Sequence, residues 1–462
     1  MAVWSEVKIS DIQYTRIDSE FYKPHYLWED SVWKSFSQKY DVKRLSKMIS
    51  EPVRTGRTPR NRRITKNDST VHFIKTNTLR EGRIDYDNCD FIPEYALSPK
   101  DYINDDSVVV TIIGATHEIV GRAAIIRSVD PKRVTNQNVA IIKTSNSLNP
   151  YYLTAYLQIK MGRDQLWRHS RQTEQVNLNC REVERILIPS PPISLQDKIG
   201  SLIQKSFALL DSSKSLYAQA QELLESELEL DKLVFDKPLS YEARLSEVVG
   251  NNRADADYYQ IAFRQIESHL TSIQTIPLSK IATFSKGIEV GSGKYTDSGK
   301  LFARVSNMKE MGIITGSSDK YISDSLFKSL AAFKPAVGEL LLTKDGTPGV
   351  CYCLDTLLDG IISSGIVRLS IIDPSISPEY LALAINSKAC RMQIERECSG
   401  ALIVHWKLGS IKKLKIPLLS KSKRDKLADL VIQSKQALRE SQNLLETAKR
   451  HVEDLIEEAV QK

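Results

Sequence analysis

Two stretches of the chain place an apolar residue at every seventh position. Leu202, Leu209, Leu216, Leu223 and Leu230 form the first series, with Ile203, Leu210, Tyr217 and Leu224 beside them. Val431, Leu438, Leu445, Val452 and Ala459 form the second, with Leu427, Ser434, Ser441, Ala448 and Leu455 between them. A sustained seven-residue spacing is the seam of a helix that packs against another helix, here widened on one side. Neither Pro nor Gly interrupts residues 201–236 or 420–462. Each run reads as a rod of about 40 residues, roughly 60 Å long. A surface helix on a globular core would share some of this pattern, but so strict a repeat favours a partner helix. The rods are each other's evident partner. A whole head separates them, so the chain can return from the far end, and the pairing expected is antiparallel, with the heads related by a pseudo-twofold axis.

Outside the rods the pattern changes to short β-branched runs bounded by Gly, Pro and Asp, which read as strands. Val108-Val109-Val110-Thr111 leads to Gly114, and Leu340-Leu341-Leu342-Thr343 leads to Gly346. Phe73 to Asn77 and Phe302 to Asn307 are strands carrying a basic and a polar residue. Helices are predicted to begin at Pro150 and Pro378, behind the caps Asn149 and Ser377. The fold class expected is mixed α/β, two similar heads each followed by a long helix. The boundaries are 1–190 for the first head, 191–236 for the first helix, 237–418 for the second head and 419–462 for the second helix.

These halves are copies. Pro189 and Pro417 differ by 228 positions, and the same shift pairs Pro150 with Pro378 and Gly121 with Gly349. Arg16-Ile17-Asp18-Ser19-Glu20-Phe21-Tyr22 returns as Arg253-Ala254-Asp255-Ala256-Asp257-Tyr258-Tyr259, shifted by 237. Internal repetition of this kind organises the whole fold.

Composition narrows the class. Among 462 residues, 41% are hydrophobic and 26% charged, as in ordinary globular proteins. No apolar run approaches a membrane span, and residues 1–11 do not form a secretory signal. The six cysteines show no zinc-like pairing and read as reduced, mostly buried cytoplasmic thiols. The net charge of +7 is a mild bias, but it is uneven. Residues 1–190 carry 29 basic against 23 acidic side chains, whereas residues 194–235 carry 4 against 7. The heads are basic and the first rod is acidic.

Catalytic patterns are approached but not met. Asn149-Pro150-Tyr151-Tyr152 is one proline short of an adenine-gripping loop, and its copy Ser377-Pro378-Glu379-Tyr380 keeps only the helix cap. Gly291-Ser292-Gly293-Lys294-Tyr295 lacks the spacing of a phosphate loop. The histidines are dispersed, and neither a nucleophile elbow nor a dinucleotide fingerprint occurs. No catalytic, metal or cofactor site is expected in this chain.

The strongest nucleic-acid signal is the loop from Arg54 to Lys66. Arg54, Arg57, Thr58, Arg60, Arg62, Arg63 and Lys66 offer guanidinium, ammonium and hydroxyl donors suited to phosphates and guanine edges. A solvated charged loop fits the same residues equally well. Lys75 and Asn77 follow on the next strand. Arg171 and Gln172, ahead of Gln175 and Asn177, make a second polar cluster. Candidates in the second head are Lys286, Lys294, Arg304, Asn307, Lys344 and Lys407.

Taken together these residues resemble the specificity subunits of type I restriction-modification systems. The likeness rests on the head–rod–head–rod order, the Arg-x-Asp-x-acid-aromatic-Tyr opening of each head, and Arg57-Thr58-Pro59 after a turn glycine. It rests most on Ile188-Pro189-Ser190-Pro191-Pro192-Ile193-Ser194-Leu195-Gln196-Asp197-Lys198-Ile199, similar to the family's junction into its conserved helix. The second junction, Ile416-Pro417-Leu418-Leu419-Ser420, lacks the later prolines and the glutamine. The resemblance implies that each head is a target recognition domain for half of a split site on double-stranded DNA. It implies rods that set spacing and dock two methyltransferase subunits, joined by motor-nuclease restriction subunits. S-adenosylmethionine would be bound by the methyltransferase partner. Because the head loops differ, the expected target is asymmetric and bipartite. A stand-alone two-headed regulator and a coiled-coil scaffold without DNA contact are the rival readings.

Overall fold

A computed structural model describes residues 4–13, 16–60, 62–65, 67–116, 118–171, 176–236, 238–316, 318–398 and 404–460. The chain divides into two compact units. One is Met1–Leu209 with Arg439–Lys462, and the other is Leu210–Leu438. Each unit holds one head and a stretch of both rods.

In the first unit an antiparallel four-stranded sheet runs in the order Arg54–Thr55, Val139–Ile142, Val108–Thr111, Ala123–Ile125. Its two central strands are buried along their whole length, because both sheet faces are covered. Val108, Val110, Ala140 and Ile142 face a core with Leu153, Tyr156 and Leu157 of helix Pro150–Gln158. Val109, Val139 and Ile141 face a second core with Ile74, Leu79 and Ala124. A smaller sheet places Arg133–Thr135 parallel to Thr70–Ile74, which pairs antiparallel with Asp90–Pro93.

The second unit repeats this topology. Its four-stranded sheet runs Ala282–Lys286, Ile366–Ile371, Leu340–Thr343, Cys351–Cys353. Gly360–Ile362 lies parallel to Lys300–Ala303, which pairs antiparallel with Tyr321–Ile322. Cys351 and Cys353 share one core face while Tyr352 turns to the other, and all six cysteines are free thiols.

Polar contacts repeat as well. The Tyr152 hydroxyl donates to the Pro189 carbonyl at 2.9 Å, and that of Tyr380 to Pro417 at 2.8 Å. Gln165 accepts from the Leu187 N–H at 3.2 Å, and Gln393 from that of Lys415 at 3.1 Å. Each pair is separated by 228 positions. Asn149 and Ser377 cap their helices as expected.

The glycine that opens each head's variable loop has a shared steric reason. A Cβ on Gly56 would lie 1.9 Å from the Thr135 carbonyl oxygen, and one on Gly287 would lie 2.1 Å from that of Ser363. Both neighbours are backbone and cannot swing away. Gly56→Ala or Gly287→Ala is therefore expected to destabilise its own unit by about 3 kcal/mol or more. Urea titration checks this, and an unshifted midpoint would contradict it.

The rods are the helices Ile193–Glu227 and Lys421–Val460. In the first unit Ile199, Ile203 and Phe207 share a core with Leu445, Ala448, Val452 and Ile456, and buried Ser206 donates to the Ser441 carbonyl at 2.7 Å. In the second, Tyr217, Ala220 and Leu224 share a core with Leu427, Ala428 and Val431. There Ser434 donates to the Ser213 carbonyl at 2.8 Å, and Lys423 pairs with Glu227. Two details differ from the sequence expectation. The buried stripe of the first rod follows Ile203, Ser206, Leu210, Ser213, Tyr217 and Leu224, while Leu202, Leu209, Leu216 and Leu223 are half-buried. Two adjacent apolar series have the same period, so spacing alone cannot choose between them. The first helix also ends at Glu227 and not near 236. Glu229 takes a left-handed φ of 54°, and Leu228 and Leu230 stay buried in the second core after the helix has stopped.

Candidate nucleic-acid interface

The Arg-x-Asp-x-acid-aromatic-Tyr motif forms a knot that closes each head. Arg16 forks onto Asp18 at 2.7 and 3.1 Å and donates to the His169 carbonyl at 3.0 Å. Arg168, almost fully buried, lies over the Phe21 ring at 4.3 Å, donates to the Phe21 carbonyl at 2.9 Å and forks onto Asp30. In the second unit Arg253 forks onto Asp255 at 2.6 Å on both oxygens. Arg396 lies over the Tyr258 ring at 4.4 Å, donates to the Tyr258 carbonyl at 3.2 Å and pairs with Glu267. Because the knot is common to both heads, it belongs to the frame.

The variable loops are built differently. In the first head Arg54 is half-buried and donates to the Lys100 and Tyr102 carbonyls at 3.2 and 3.0 Å. Arg57 forks onto Asp101 at 2.6 Å on both oxygens and also donates to the Ala96 carbonyl at 3.1 Å. That guanidinium holds the Asp101 carboxyl down to about 2. Thr58 donates to Gln137 at 2.7 Å. These three residues brace the loop. They leave Arg60, Arg62 and Arg63 exposed, with no side-chain partner among the described residues. The Arg63 carbonyl is held by the Tyr95 hydroxyl at 2.9 Å, which fixes the base of this arginine run. Lys75 pairs with Asp90 and lies over Phe73, while Asn77 is exposed. Lys66 and Gln172 lie outside the described residues.

In the second head Lys286, Lys294 and Lys407 are exposed. Arg304 donates to the Ser318 carbonyl at 2.7 Å, and Lys344 pairs with Asp345. Asn307 is a correction. It is only 4% exposed, its amide donates to the Ile314 carbonyl and to Asp319, and its oxygen accepts from the Arg304 N–H. Every polar atom it would need for reading a base holds the turn together.

A second arginine-rich place in the first head was only half anticipated. A cleft of about 590 Å³ is lined by Arg16, Asp18, Ser170, Arg171, Arg181, Glu182 and Arg185, among others. Arg171 had been singled out, and here it meets Glu182 at 3.2 Å while staying 70% exposed. Burial, reinforced by Arg168, Arg16, Arg185 and Arg44, pulls neighbouring His169 down to about 3, so its imidazole is neutral. Sequence reading passed over Arg181 and Arg185 because they lie on a short helix, Cys180–Arg185, outside any loop.

Residues 38–222 match the family described as the type I restriction modification DNA specificity domain. That stretch lies within the first head and the first rod. Among solved structures, this chain is similar to the S subunit of a type I restriction-modification system from M. genitalium. That match has 13% identity, covers 91% of this chain and 96% of that one, and has a TM-score of 0.43. It is also similar to the HsdS subunit from Thermoanaerobacter tengcongensis, with 14% identity, coverage of 90% and 96%, and a TM-score of 0.30. The type IIG restriction endonuclease BpuSI matches over 40% of this chain and 28% of its own, with 13% identity and a TM-score of 0.28. No curated protein matches by sequence. Among the described residues, no His/Cys/Asp/Glu cluster suits a metal and no helix is long and apolar enough to cross a membrane.

Proposed function

We propose that this chain is the DNA-reading subunit of a type I restriction-modification complex and that each head reads one half of an asymmetric, bipartite site. One observation carries the reading. The two units share topology, helix caps and the Arg–Asp knot, yet their loops diverge from arginine-rich in the first to Gly/Lys/Ser-rich in the second. A common frame with unlike reading loops suits two different half-sites, whereas identical heads would suit a palindrome. The rods pair antiparallel, and their length sets the spacing between half-sites. Support comes from the register of Ser206 with Ser441 and of Ser213 with Ser434. The rods dock two methyltransferase subunits, which bind S-adenosylmethionine and modify adenine, and restriction subunits join that assembly. This chain supplies recognition and no catalytic step.

Mapping modified adenines in cells carrying the system tests the reading. Two unlike half-sites separated by a fixed spacer are expected, and a palindromic or continuous motif would overturn it. Within the first head, changing Arg60, Arg62 and Arg63 together to Ala should weaken duplex binding by at least tenfold and flatten its salt dependence. An unchanged salt slope would remove this run from the interface.

A further inference from the structure

We propose that the arginine cleft of the first head is a second DNA-contact site, one that grips backbone phosphate without regard to base sequence. This rests on the reading of the chain as a DNA-recognition subunit and adds a place and a chemistry to it. Each carboxylate of the cleft already has a partner. Asp18 is forked by Arg16, Glu20 pairs with Lys23, and Glu182 accepts from Arg171 and from the Asn179 N–H. Arg181 and Arg185 line the same cleft, and no described side chain or carbonyl engages either of them. Arg44 and Arg185 line a contiguous smaller cleft of about 250 Å³, and Arg44 too is unengaged among the described residues. Among the described residues, these three guanidinium groups, two in the first cleft and Arg44 in its neighbour, have no acid to balance them, so the described lining carries a net positive charge. A guanidinium fork fits a phosphate's oxygens, so phosphate is the ligand class it selects.

The repeat supplies an internal comparison. Shifting by 228 positions places Gly409 where the first head has Arg181, and Lys413 where it has Arg185. Arg44 sits opposite Leu187 in its strand pair, and Pro277 sits opposite Lys415, the copy of Leu187, so Pro277 stands in the place of Arg44. Two of the three cations are thus absent from the second head, while the Arg–Asp knot beneath the cleft is present in both. The excess charge belongs to the first head and is not a requirement of the frame. None of the three arginines holds the fold by a contact of its own, so they can be changed without dismantling the head.

The test uses the full chain and a fluorescently labelled duplex of random sequence, titrated between about 50 and about 200 mM salt. Arg181→Ala with Arg185→Ala should weaken binding roughly tenfold and make the slope of log affinity against log salt shallower by about one for each phosphate lost. Arg181→Lys with Arg185→Lys should keep the slope. Thermal melting of each variant should match the parent. A parental slope in the Ala variant overturns the cleft as a phosphate site while leaving the recognition reading intact. Failure of the parent chain itself to bind duplex in a salt-dependent way overturns that reading instead. Loss of binding to a co-expressed partner protein, with duplex binding unchanged, would also overturn the proposal and make the cleft a docking site for an acidic surface.

Discussion

Replacing Arg168 with Ala is expected to cost the first unit about 3–5 kcal/mol. Its side chain is 6% exposed and serves four groups together. It forks onto Asp30, donates to the Phe21 carbonyl at 2.9 Å and the Tyr26 carbonyl at 3.4 Å, and covers the Phe21 ring. Removing it leaves a partly buried carboxylate and the Phe21 carbonyl without this donor, and desolvated groups left unpaired carry the larger penalty. Arg168→Lys should recover little, because one ammonium cannot fork and stack in the same place. Hydrogen exchange resolved by peptide provides the check. Protection should fall around 16–36 and 160–171 and persist in the second unit, where Arg396 makes the corresponding contacts with Tyr258 and Glu267. Uniform protection in both units would refute the keystone role of Arg168.

The first head should also lose stability as pH rises through neutrality, and Glu29→Gln should abolish that loss. Glu29 is 1% exposed and lies against Asp164, itself 3% exposed. Burial and the Asp164 carboxylate push the Glu29 carboxyl up to about 8, with Lys160 opposing from the same side. Gln165, Tyr26, His25 and Arg168 complete the polar surroundings. The folded state therefore holds a proton that the unfolded chain releases in the ordinary carboxylate range. Stability from that proton is complete below the unfolded value near 4.5 and is lost progressively as pH climbs toward 8. His25 is held below its ordinary value by burial. An uncharged Gln should match the parent near pH 5 and exceed it at pH 8 by on the order of 3 kcal/mol, or roughly 5–10 °C in melting temperature. Parallel pH profiles for the two proteins would contradict the assignment. The repeat again offers a comparison, because Ile266 and Met392 occupy the corresponding positions in the second head and carry no titratable group.

The sequence was most legible where local physics repeats. A seven-residue period without Pro or Gly leaves little besides a long helix, and the rods are there. Buried β-branched runs such as Val108–Thr111 announce central strands, and Asn149 and Ser377 announce helix starts through their own capping chemistry. The offset of 228 residues foretold that two units would share one topology. The candidate interface was legible only in part. A run of arginines reveals its charge but not its partners, so Arg54 and Arg57 look like Arg60 and Arg62 until Lys100, Asp101 and Tyr102 are folded against them. Asn307 looked like a base reader because nothing local reveals that Asp319 and the Ile314 carbonyl would claim its amide.

By itself, then, the sequence determined the duplicated frame, the positions of its helices and central strands, and the basic character of its heads. All of these follow from periodicity, capping and composition, which act over a few residues. Tertiary structure decided which face of the first rod is buried, where that rod ends, and which cations remain unpaired. Those outcomes depend on groups far apart in the chain, such as Arg44 beside Arg185 or Glu29 beside Asp164, and only the fold brings such groups within reach of one another.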